Sequence, residues 1–375
     1  MRIVSLLGSL ISDMRSTITL VLALTYLVGA AFCGVIMLVM PLMFFVRPFA
    51  RRYFFSHIVT FVFGNYWFST LFVLEQLNGT KIRVHGEIPK IRDAVMVVCN
   101  HKCDLDYCYL WSVLARVEGP RLTGLFKAVL KSAIKVVPVF SWGMKACGFL
   151  YLSRSWDIDR SHIKRWAQAM SRDKIPMWLV LYPEGTRYTD RRKASSDKYA
   201  KERSMPCYES ELLLPRTKGL VSLVRSLDGY LDTVLDMTIA YVKKDGTLLK
   251  GSELGTSALK RVFSGDSPVG TVHMHFAHHH VRDLPADDEA LASWCQDRWA
   301  LKDKLLLDLG RTGNFGEILP VDSPSPIRMY TTIALWLCLM ALGLNLLFTT
   351  SWFVWYCVFA MSFGVLLTAV DPPEW

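Results

Sequence analysis

Two long stretches without any charged residue constrain this chain more than any other feature. The first runs from Thr17 to Val46, and the second runs from Met329 to Val370. A helix needs about 20 apolar residues to cross a bilayer, so the first stretch predicts one membrane anchor and the second predicts two spans. Thr349–Ser351 interrupts the second stretch and suits the turn of a transmembrane hairpin. With 52% hydrophobic residues, the 375-residue chain is too apolar for an ordinary soluble domain.

Basic residues next to the first stretch predict its orientation. Arg47, Arg51 and Arg52 follow it directly, and positive residues favour the cytosolic side of a membrane. The polar middle of the chain is therefore expected in the cytosol. A two-span hairpin would return the C-terminus to that same side.

The charge pattern predicts four segments: an N-terminal anchor at residues 1–50, interfacial helices at 51–80, a polar globular domain at 81–320 and the hairpin at 321–375. Aromatic side chains dominate Tyr53–Leu77, which favours helices at the bilayer interface and leaves a buried core helix as the alternative. The net charge of +10 favours phosphate-bearing lipids and cofactors over nucleic acid in a membrane protein. The nine cysteines are odd in number and show no paired framework, so reduced thiols are expected.

Strands and helices alternate along the polar middle, which predicts an α/β domain. The expected strands are Lys81–His85, Ala94–Cys99, Phe149–Leu152, Trp178–Leu181, Leu235–Val242 and Thr271–His278. The expected helices are Leu105–Arg116, Leu122–Val137, Asp159–Ser171 and Asp287–Leu309, and the charged segment Asp190–Glu209 is expected to be an exposed loop.

Three of the predicted strands run into polar motifs. Ala94–Cys99 leads into Asn100–His101, Phe149–Leu152 leads into Ser153–Arg154, and Trp178–Leu181 leads through Tyr182 into Pro183–Arg187. Because ligand sites in α/β sheets form beyond the carboxyl ends of strands, these motifs are expected to meet in one pocket.

The spacing of His101 and Asp106 suits an acid–base pair. If His101 lies in the loop and Asp106 in the first helical turn, the carboxylate can hold one imidazole nitrogen and leave the other to act as a base. Asp104 is then expected to cap the helix. The alternative is a lone histidine beside an unrelated acid, and spacing alone does not exclude it.

The segment Pro183–Arg187 has the composition of a phosphate-binding loop. Gly185 lets the backbone approach a ligand closely, and the guanidinium of Arg187 can grip a phosphate with two hydrogen bonds. Arg154 offers a second guanidinium. The alternative for either arginine is a surface salt bridge.

Four motifs in this order resemble those of the glycerolipid acyltransferases. Asn100–His101 with Asp106 is similar to their NHx4D motif, Gly148–Arg154 to their second motif and Pro183–Arg187 to their third. Leu213–Gly219 resembles the LxPRTKG stretch of the longer eukaryotic lysophosphatidic acid acyltransferases. The resemblance extends from His85 to Leu309.

This resemblance implies an α/β acyltransferase domain, with a mixed sheet flanked by helices, between the membrane anchor and the transmembrane hairpin. It implies that His101 deprotonates the acceptor hydroxyl, that Asp106 orients His101 and that no covalent acyl-enzyme forms. The residues it implies for the glycerol phosphate are Arg154, Glu184, Gly185, Thr186 and Arg187, with Lys131 and Lys218 as weaker candidates. The implied donor is acyl-CoA, a co-substrate, and no resident cofactor or metal is expected. The acceptor is expected to be lysophosphatidic acid at the endoplasmic reticulum membrane, with no prediction of oligomeric state.

Several alternatives stay open at this point. Another lysophospholipid, such as lysocardiolipin, can be the acceptor, and a non-catalytic membrane scaffold can keep the same fold. Cysteines around His101 raise the idea of a zinc site or of an acylated Cys103 or Cys108, although the spacing is poor for zinc and the thiols lack a second base. His273 and His275 alternate on a predicted strand, and a metal-binding or pH-sensitive role competes there with an ordinary strand end.

Overall fold

The structure is a computed structural model that describes Gly29 and residues 60–88, 94–137, 141, 144–145, 147–254, 258–263 and 265–370. The predicted N-terminal anchor, Thr17–Val46, lies outside the described residues apart from Gly29, as do Arg47, Arg51 and Arg52.

In the part of the chain that the structure describes, a seven-stranded mixed sheet forms the centre of the domain. The sequence predicts six of these strands, and the family resemblance implies the mixed sheet. Its strands are β1 (Lys81–Gly86), β2 (Ala94–Cys99), β3 (Phe126–Lys131), β4 (Leu150–Leu152), β5 (Met177–Leu181), β6 (Thr233–Lys243) and β7 (Val269–His280). The spatial order is β1-β7-β6-β2-β5-β3-β4, and only the pairing of β6 with β7 is antiparallel. Five strands, β6 to β4 in that order, therefore end at the same edge. Strands β2 and β5 are buried along their whole length, because both of their faces are covered by helices.

Helices flank the sheet and extend the chain beyond it. They are α1 (Thr60–Leu71, continued by a π-helical segment Phe72–Leu77), α2 (Asp106–Glu118), α3 (Pro120–Gly124), α4 (Trp156–Arg172), α5 (Asp190–Glu202), α6 (Thr217–Ser226), α7 (Gly251–Leu254), α8 (Ala258–Phe263), α9 (Asp288–Thr312), α10 (Pro326–Thr349) and α11 (Ser351–Val370). Near the C-terminal end of the polar domain, the backbone N–H of Leu319 donates to the carbonyl of Val84 on β1 at 2.8 Å.

The prediction of one helix over Leu122–Val137 is wrong. After the short helix α3, the chain forms the strand β3 and then a 3-10 segment, Ser132–Val136. Strand β3 lies between β5 and β4 and pairs with both in parallel. These ladder hydrogen bonds come from distant parts of the chain, so they override the weak helical periodicity of this short apolar segment.

The prediction of an exposed loop over Asp190–Glu209 is also wrong in its first part, which is the helix α5. The hydroxyl of Thr189 caps this helix by accepting from the backbone N–H of Arg192, and Lys193 pairs with Asp197 one turn later at 2.7 Å. Only Ala200 of the helix is fully buried. Apolar periodicity is therefore absent, and the helix rests on its cap and its charged pair instead.

Helix α1 packs its aromatic residues inside the protein. Trp67 stacks on Trp111 of α2 with ring centroids 4.3 Å apart, and Tyr66 meets Trp336 of α10 edge-on at 5.6 Å. The carboxylate of Glu75 forms a buried ion pair with Arg116 at 2.7 Å. The described part of the aromatic segment thus packs against α2 and α10, and its position at the bilayer interface stays a prediction.

The C-terminal stretch forms the two helices α10 and α11, which meet at Thr350. Among the described residues, α10 is the one helix that meets the length and hydropathy of a membrane span. Its exposed apolar side chains include Leu342 and Phe348. A bilayer crossing by these helices stays a prediction.

A buried lysine joins helix α9 to the sheet. The ammonium group of Lys302, fully buried, donates to the carbonyl of Met237 at 2.6 Å and forms an ion pair with Asp236. These partners lie on β6, the strand next to β2. Lys302 therefore fixes the position of α9 against the centre of the sheet.

We expect Lys302→Met to lower the free energy of unfolding by about 3–5 kcal/mol, because it leaves the Asp236 carboxylate buried without a counter-charge. The measurement is urea unfolding of the purified full-length protein. The double variant Lys302→Met/Asp236→Leu removes both charges and should recover most of the loss. If Lys302→Met unfolds at the wild-type urea concentration, the ion pair contributes nothing to stability.

Candidate active site

The polar motifs meet at the edge of the sheet where the five parallel strands end. Strand β2 leads into Asn100–His101, and its parallel neighbour β5 leads into Tyr182–Arg187. Strand β4 leads into Ser153–Arg154 on the same edge, two places beyond β5. The three motifs therefore follow strands that end at the same edge, and their meeting in one pocket stays a prediction.

His101 and Asp106 form a hydrogen-bonded pair. The Nδ1 atom of His101 lies 2.8 Å from Oδ2 of Asp106, the first residue of α2. The carboxylate is fully buried, and it also accepts from the backbone N–H groups of Lys102 at 2.8 Å and Cys103 at 3.2 Å and from the hydroxyl of Tyr241. A carboxylate accepts hydrogen bonds and does not donate them, so Nδ1–H of His101 is the donor in this contact.

The imidazole of His101 is fixed on several sides. Its ring stacks on Tyr182 with centroids 4.1 Å apart, and its backbone carbonyl accepts from the N–H of Tyr188 at 2.8 Å. The amide of Asn100 anchors the loop to β6 by exchanging hydrogen bonds of 3.0 and 2.9 Å with the backbone of Ile239. Nε2 of His101 forms no hydrogen bond with any described residue, and the side chain is 17% exposed. A fixed imidazole with one open nitrogen can accept a proton from a bound hydroxyl.

The predicted helix cap at Asp104 is wrong. The side chain of Asp104 makes an ion pair with Arg187 instead, and no side chain caps α2. The carboxylate of Asp106 accepts from the backbone N–H groups of Lys102 and Cys103, which precede the helix. Asp104 therefore positions the guanidinium of Arg187 beside the loop Asn100–Leu105, which bears His101 and is called the catalytic loop below.

Glu184 lies inside the protein rather than on the surface of the cleft. It is 3% exposed, one carboxyl oxygen accepts from the indole N–H of Trp299 at 3.4 Å, and the other has no hydrogen-bond partner among the described residues. Burial raises the pKa of Glu184 to about 8, against the opposing charge of Lys102. This carboxyl therefore anchors the loop that bears Arg187 to the interior of the protein.

Arg154 projects from a turn with an unusual backbone. Its φ of 69° lies in the left-handed region, and the buried carboxylate of Asp159 holds the turn by accepting from the N–H groups of Ser153 and Arg154, both at 2.7 Å. Partial burial and the nearby charges of Arg216 and Arg192 lower the pKa of Arg154. No ion pair links these three arginines to a carboxylate within the described ranges.

The remaining predicted ligands lie around this group of arginines. Gly185 has a φ of 70°, and a Cβ atom added there would lie 3.5 Å from the side chain of Arg216. Lys131, exposed at the end of β3, is in register with Leu152 of β4, and the ammonium of Lys218 lies 5.9 Å from the ring centre of Trp156. Thr186 lies between Gly185 and Arg187 and is partly exposed. The predicted cations thus occupy the same edge of the sheet.

The structure adds residues that the sequence did not single out. Tyr241 reaches Asp106 from 135 positions away, so no local spacing could reveal it. Tyr182 does have a local signal, because it directly precedes Pro183. Arg216 belongs to the LxPRTKG stretch, but only the fold brings it to Arg154.

The other candidate residues do not form competing centres in the described part of the chain. Burial raises the pKa of Cys103 and of Cys108, which disfavours the reactive thiolate. His273 on β7 and His85 on the neighbouring edge strand β1 share a hydrogen bond of 3.1 Å. Desolvation lowers the pKa of His273 to about 4, so this pair is neutral near pH 7.

Similarity to known proteins extends over most of this chain. The Acyltransferase family profile matches residues 81–242, and the Acyltransferase C-terminus profile matches residues 261–337. The 1-acyl-sn-glycerol-3-phosphate acyltransferase 2 of Arabidopsis thaliana is 30% identical over 308 residues, which are 81% of this chain and 74% of the plant protein. Lysocardiolipin acyltransferase 1 of Danio rerio is 33% identical over 287 residues, which are 75% of this chain and 68% of the fish protein.

The crystal structure of the 1-acyl-sn-glycerophosphate (LPA) acyltransferase from Thermotoga maritima is 18% identical, with a TM-score of 0.44, and covers 79% of this chain and 97% of its own. The profile matches and the extent of the plant match establish the family on their own. This chain belongs to the glycerolipid acyltransferases, the family of the 1-acyl-sn-glycerol-3-phosphate acyltransferases.

Proposed function

We propose that this protein transfers a fatty acyl group from acyl-CoA to the sn-2 hydroxyl of lysophosphatidic acid, giving phosphatidic acid. The main support is the pairing of His101 with Asp106, which leaves Nε2 open at the edge of the sheet that also bears Arg154 and the loop to which Arg216 is hydrogen-bonded. A base beside a group of unpaired cations suits an acceptor that carries its hydroxyl close to a phosphate.

In the proposed reaction, Nε2 of His101 takes the proton of the acceptor hydroxyl as its oxygen attacks the thioester carbonyl. The new C–O bond forms a tetrahedral intermediate, which collapses with breakage of the C–S bond. The CoA thiolate leaves and takes the proton back from the imidazolium, so that the products are the ester and CoA. Asp106 stabilises the imidazolium through Nδ1 during this cycle.

The acceptor phosphate is proposed to bind among Arg154, Arg187 and Arg216, with Lys131 and Lys218 at the periphery. Arg187 is held by Asp104 before the acceptor arrives, so phosphate must share or replace that carboxylate. Gly185 and Thr186 are proposed to offer backbone contacts close to the ligand. Because its carboxyl is buried, Glu184 is proposed to act on the phosphate through the Pro183–Arg187 loop that it supports rather than by direct contact.

Two other functions compete with this one. Lysocardiolipin or a different lysophospholipid needs the same base and phosphate site, and one similar protein is named a lysocardiolipin acyltransferase. A non-catalytic membrane scaffold is disfavoured, because it has no need for a buried carboxylate that fixes one histidine. An assay of the purified protein with labelled acyl-CoA and a panel of lysophospholipids distinguishes the three.

We expect His101→Ala to lower kcat by about 10²–10⁴ with little change in acyl-CoA binding, because it removes the general base. Asp106→Asn should also lower kcat, since an amide cannot favour the same imidazole tautomer. His280→Ala is the matched control, because β7 ends at the opposite edge of the sheet, where His280 is in register with Thr233. Near-normal kcat in His101→Ala would rule out this mechanism.

The phosphate site predicts that Arg187→Ala and Arg154→Ala each raise the acceptor KM, since one charge-assisted contact is worth about 1.5–3 kcal/mol. Arg187→Lys should be impaired as well, because it keeps the charge and loses the forked geometry. Arg203→Lys, at the end of α5 and stacked over Tyr199, serves as the control. Wild-type acceptor saturation in both alanine variants would make these arginines structural.

The proposed location is the endoplasmic reticulum membrane, with the catalytic domain and the C-terminus in the cytosol. Because Met329–Val370 has the length of two spans of about 20 residues, a glycosylation tag placed after Trp375 should stay unmodified. A tag placed before Arg2 should be glycosylated in the lumen. A modified C-terminal tag would mean that this stretch crosses the membrane an odd number of times.

A further inference from the structure

A cationic cavity lies beside the catalytic loop, between that loop and helix α5. Its volume is about 400 Å³, and the residues around it include Lys102, Arg187, Arg191, Arg192, Ser195 and Gly251. No carboxylate is among the described residues that line it. The cavity is within the range of about 300–1,000 Å³ that small-molecule sites occupy, so it has room for more than one phosphate group.

Two of the four cations around the cavity are already neutralised. Lys102 pairs with Glu211 at 2.9 Å, and Arg187 pairs with Asp104. The charge that is left uncompensated therefore comes from Arg191 and Arg192.

Arg191 and Arg192 stand in the first turn of α5, and both are exposed. Neither forms an ion pair with a carboxylate in the part of the chain that the structure describes. Arg192 donates to the backbone carbonyl of Arg187 at 3.1 Å, which ties it to the wall of the cavity. The N-terminal end of the helix adds positive potential at the same place.

The cavity adjoins the base without including it. Lys102 directly follows His101, and the N–H of Tyr188, another lining residue, donates to the carbonyl of His101 at 2.8 Å. A ligand there lies next to the catalytic loop, but His101 itself is not among the lining residues. The proposed acceptor site shares Arg187 with the cavity, and its other cations, Arg154 and Arg216, lie on the side of Gly185, where the charge of Arg192 also acts on Arg154.

We propose that this cavity binds the nucleotide end of acyl-CoA, with Arg191 and Arg192 contacting its phosphates. That end carries a diphosphate and a 3′-phosphate, whereas lysophosphatidic acid carries a single phosphate. Its phosphates are also separated from the reacting thioester by the pantetheine arm, which suits a site beside the base rather than at it. This inference rests on the proposed function, in which acyl-CoA is the donor.

The test compares Arg191→Gln/Arg192→Gln with Lys198→Gln/Lys201→Gln, which removes two positive charges from the far end of the same helix. Binding of adenosine 3′,5′-bisphosphate to the purified full-length protein is measured by calorimetry, which needs no activity. We expect the arginine variant to bind at least about tenfold more weakly and the lysine control to bind within about twofold of wild type.

Kinetics with two donors give a second readout. The KM for acyl-CoA should rise by about tenfold or more in the arginine variant. The KM for S-acyl-pantetheine, which lacks the nucleotide, should stay within about twofold of wild type, and the acceptor KM should rise less than the acyl-CoA KM.

Equal bisphosphate binding by the arginine variant and the wild type, or no binding by either, would overturn the inference. A rise in the acceptor KM alone would assign the cavity to the acceptor phosphate and overturn it too. If the wild-type protein transfers no acyl group from acyl-CoA to any lysophospholipid, the proposed function fails. The bisphosphate measurement still decides what the cavity binds in that case.

Discussion

The site depends first on one buried charge, the carboxylate of Asp106. It lies at the start of α2 with no exposure to solvent. Its donors are the His101 imidazole, two backbone N–H groups of the loop, the hydroxyl of Tyr241 and the thiol of Cys103. A carboxylate without these partners would cost several kcal/mol to bury. The same bonds that make its burial tolerable also fix the imidazole, so stability and chemistry share one set of contacts.

The rest of the domain keeps these donors in place. Asn100 ties the catalytic loop to β6, the strand that also supplies Tyr241. Below the neighbouring loop, Glu184 contacts Trp299 on α9, and Lys302 on the same helix is bonded to the backbone of β6. Hydrogen bonds therefore connect the sheet, α9 and the two loops that bear His101 and Arg187 into one layer. A substitution in α9 is expected to reach the active site through this layer.

Local sequence pattern predicts an element correctly where its composition alone indicates that it is buried. Ala94–Cys99 is a strand within its predicted bounds, and the polar residues after it pair as their spacing suggested. Strand β3 was missed because its pairing partners are remote and its short apolar run also fits a helix. Helix α5 was missed because its stability comes from a cap and charged pairs rather than from an apolar face. Contacts such as Tyr241 with Asp106 depend wholly on the fold and leave no trace in local sequence.

The proposed chemistry requires that His101 presents an unprotonated Nε2 while Asp106 holds Nδ1–H. Nitrogen NMR of the full-length protein with ¹⁵N-labelled histidine, assigned by the loss of one signal in the His101→Ala variant, measures this tautomer directly. We expect neutral His101 to be protonated at Nδ1 and its Nε2 to have the chemical shift of a nitrogen with a free lone pair. A neutral His101 protonated at Nε2 would contradict it, because that nitrogen could not take a proton from the acceptor.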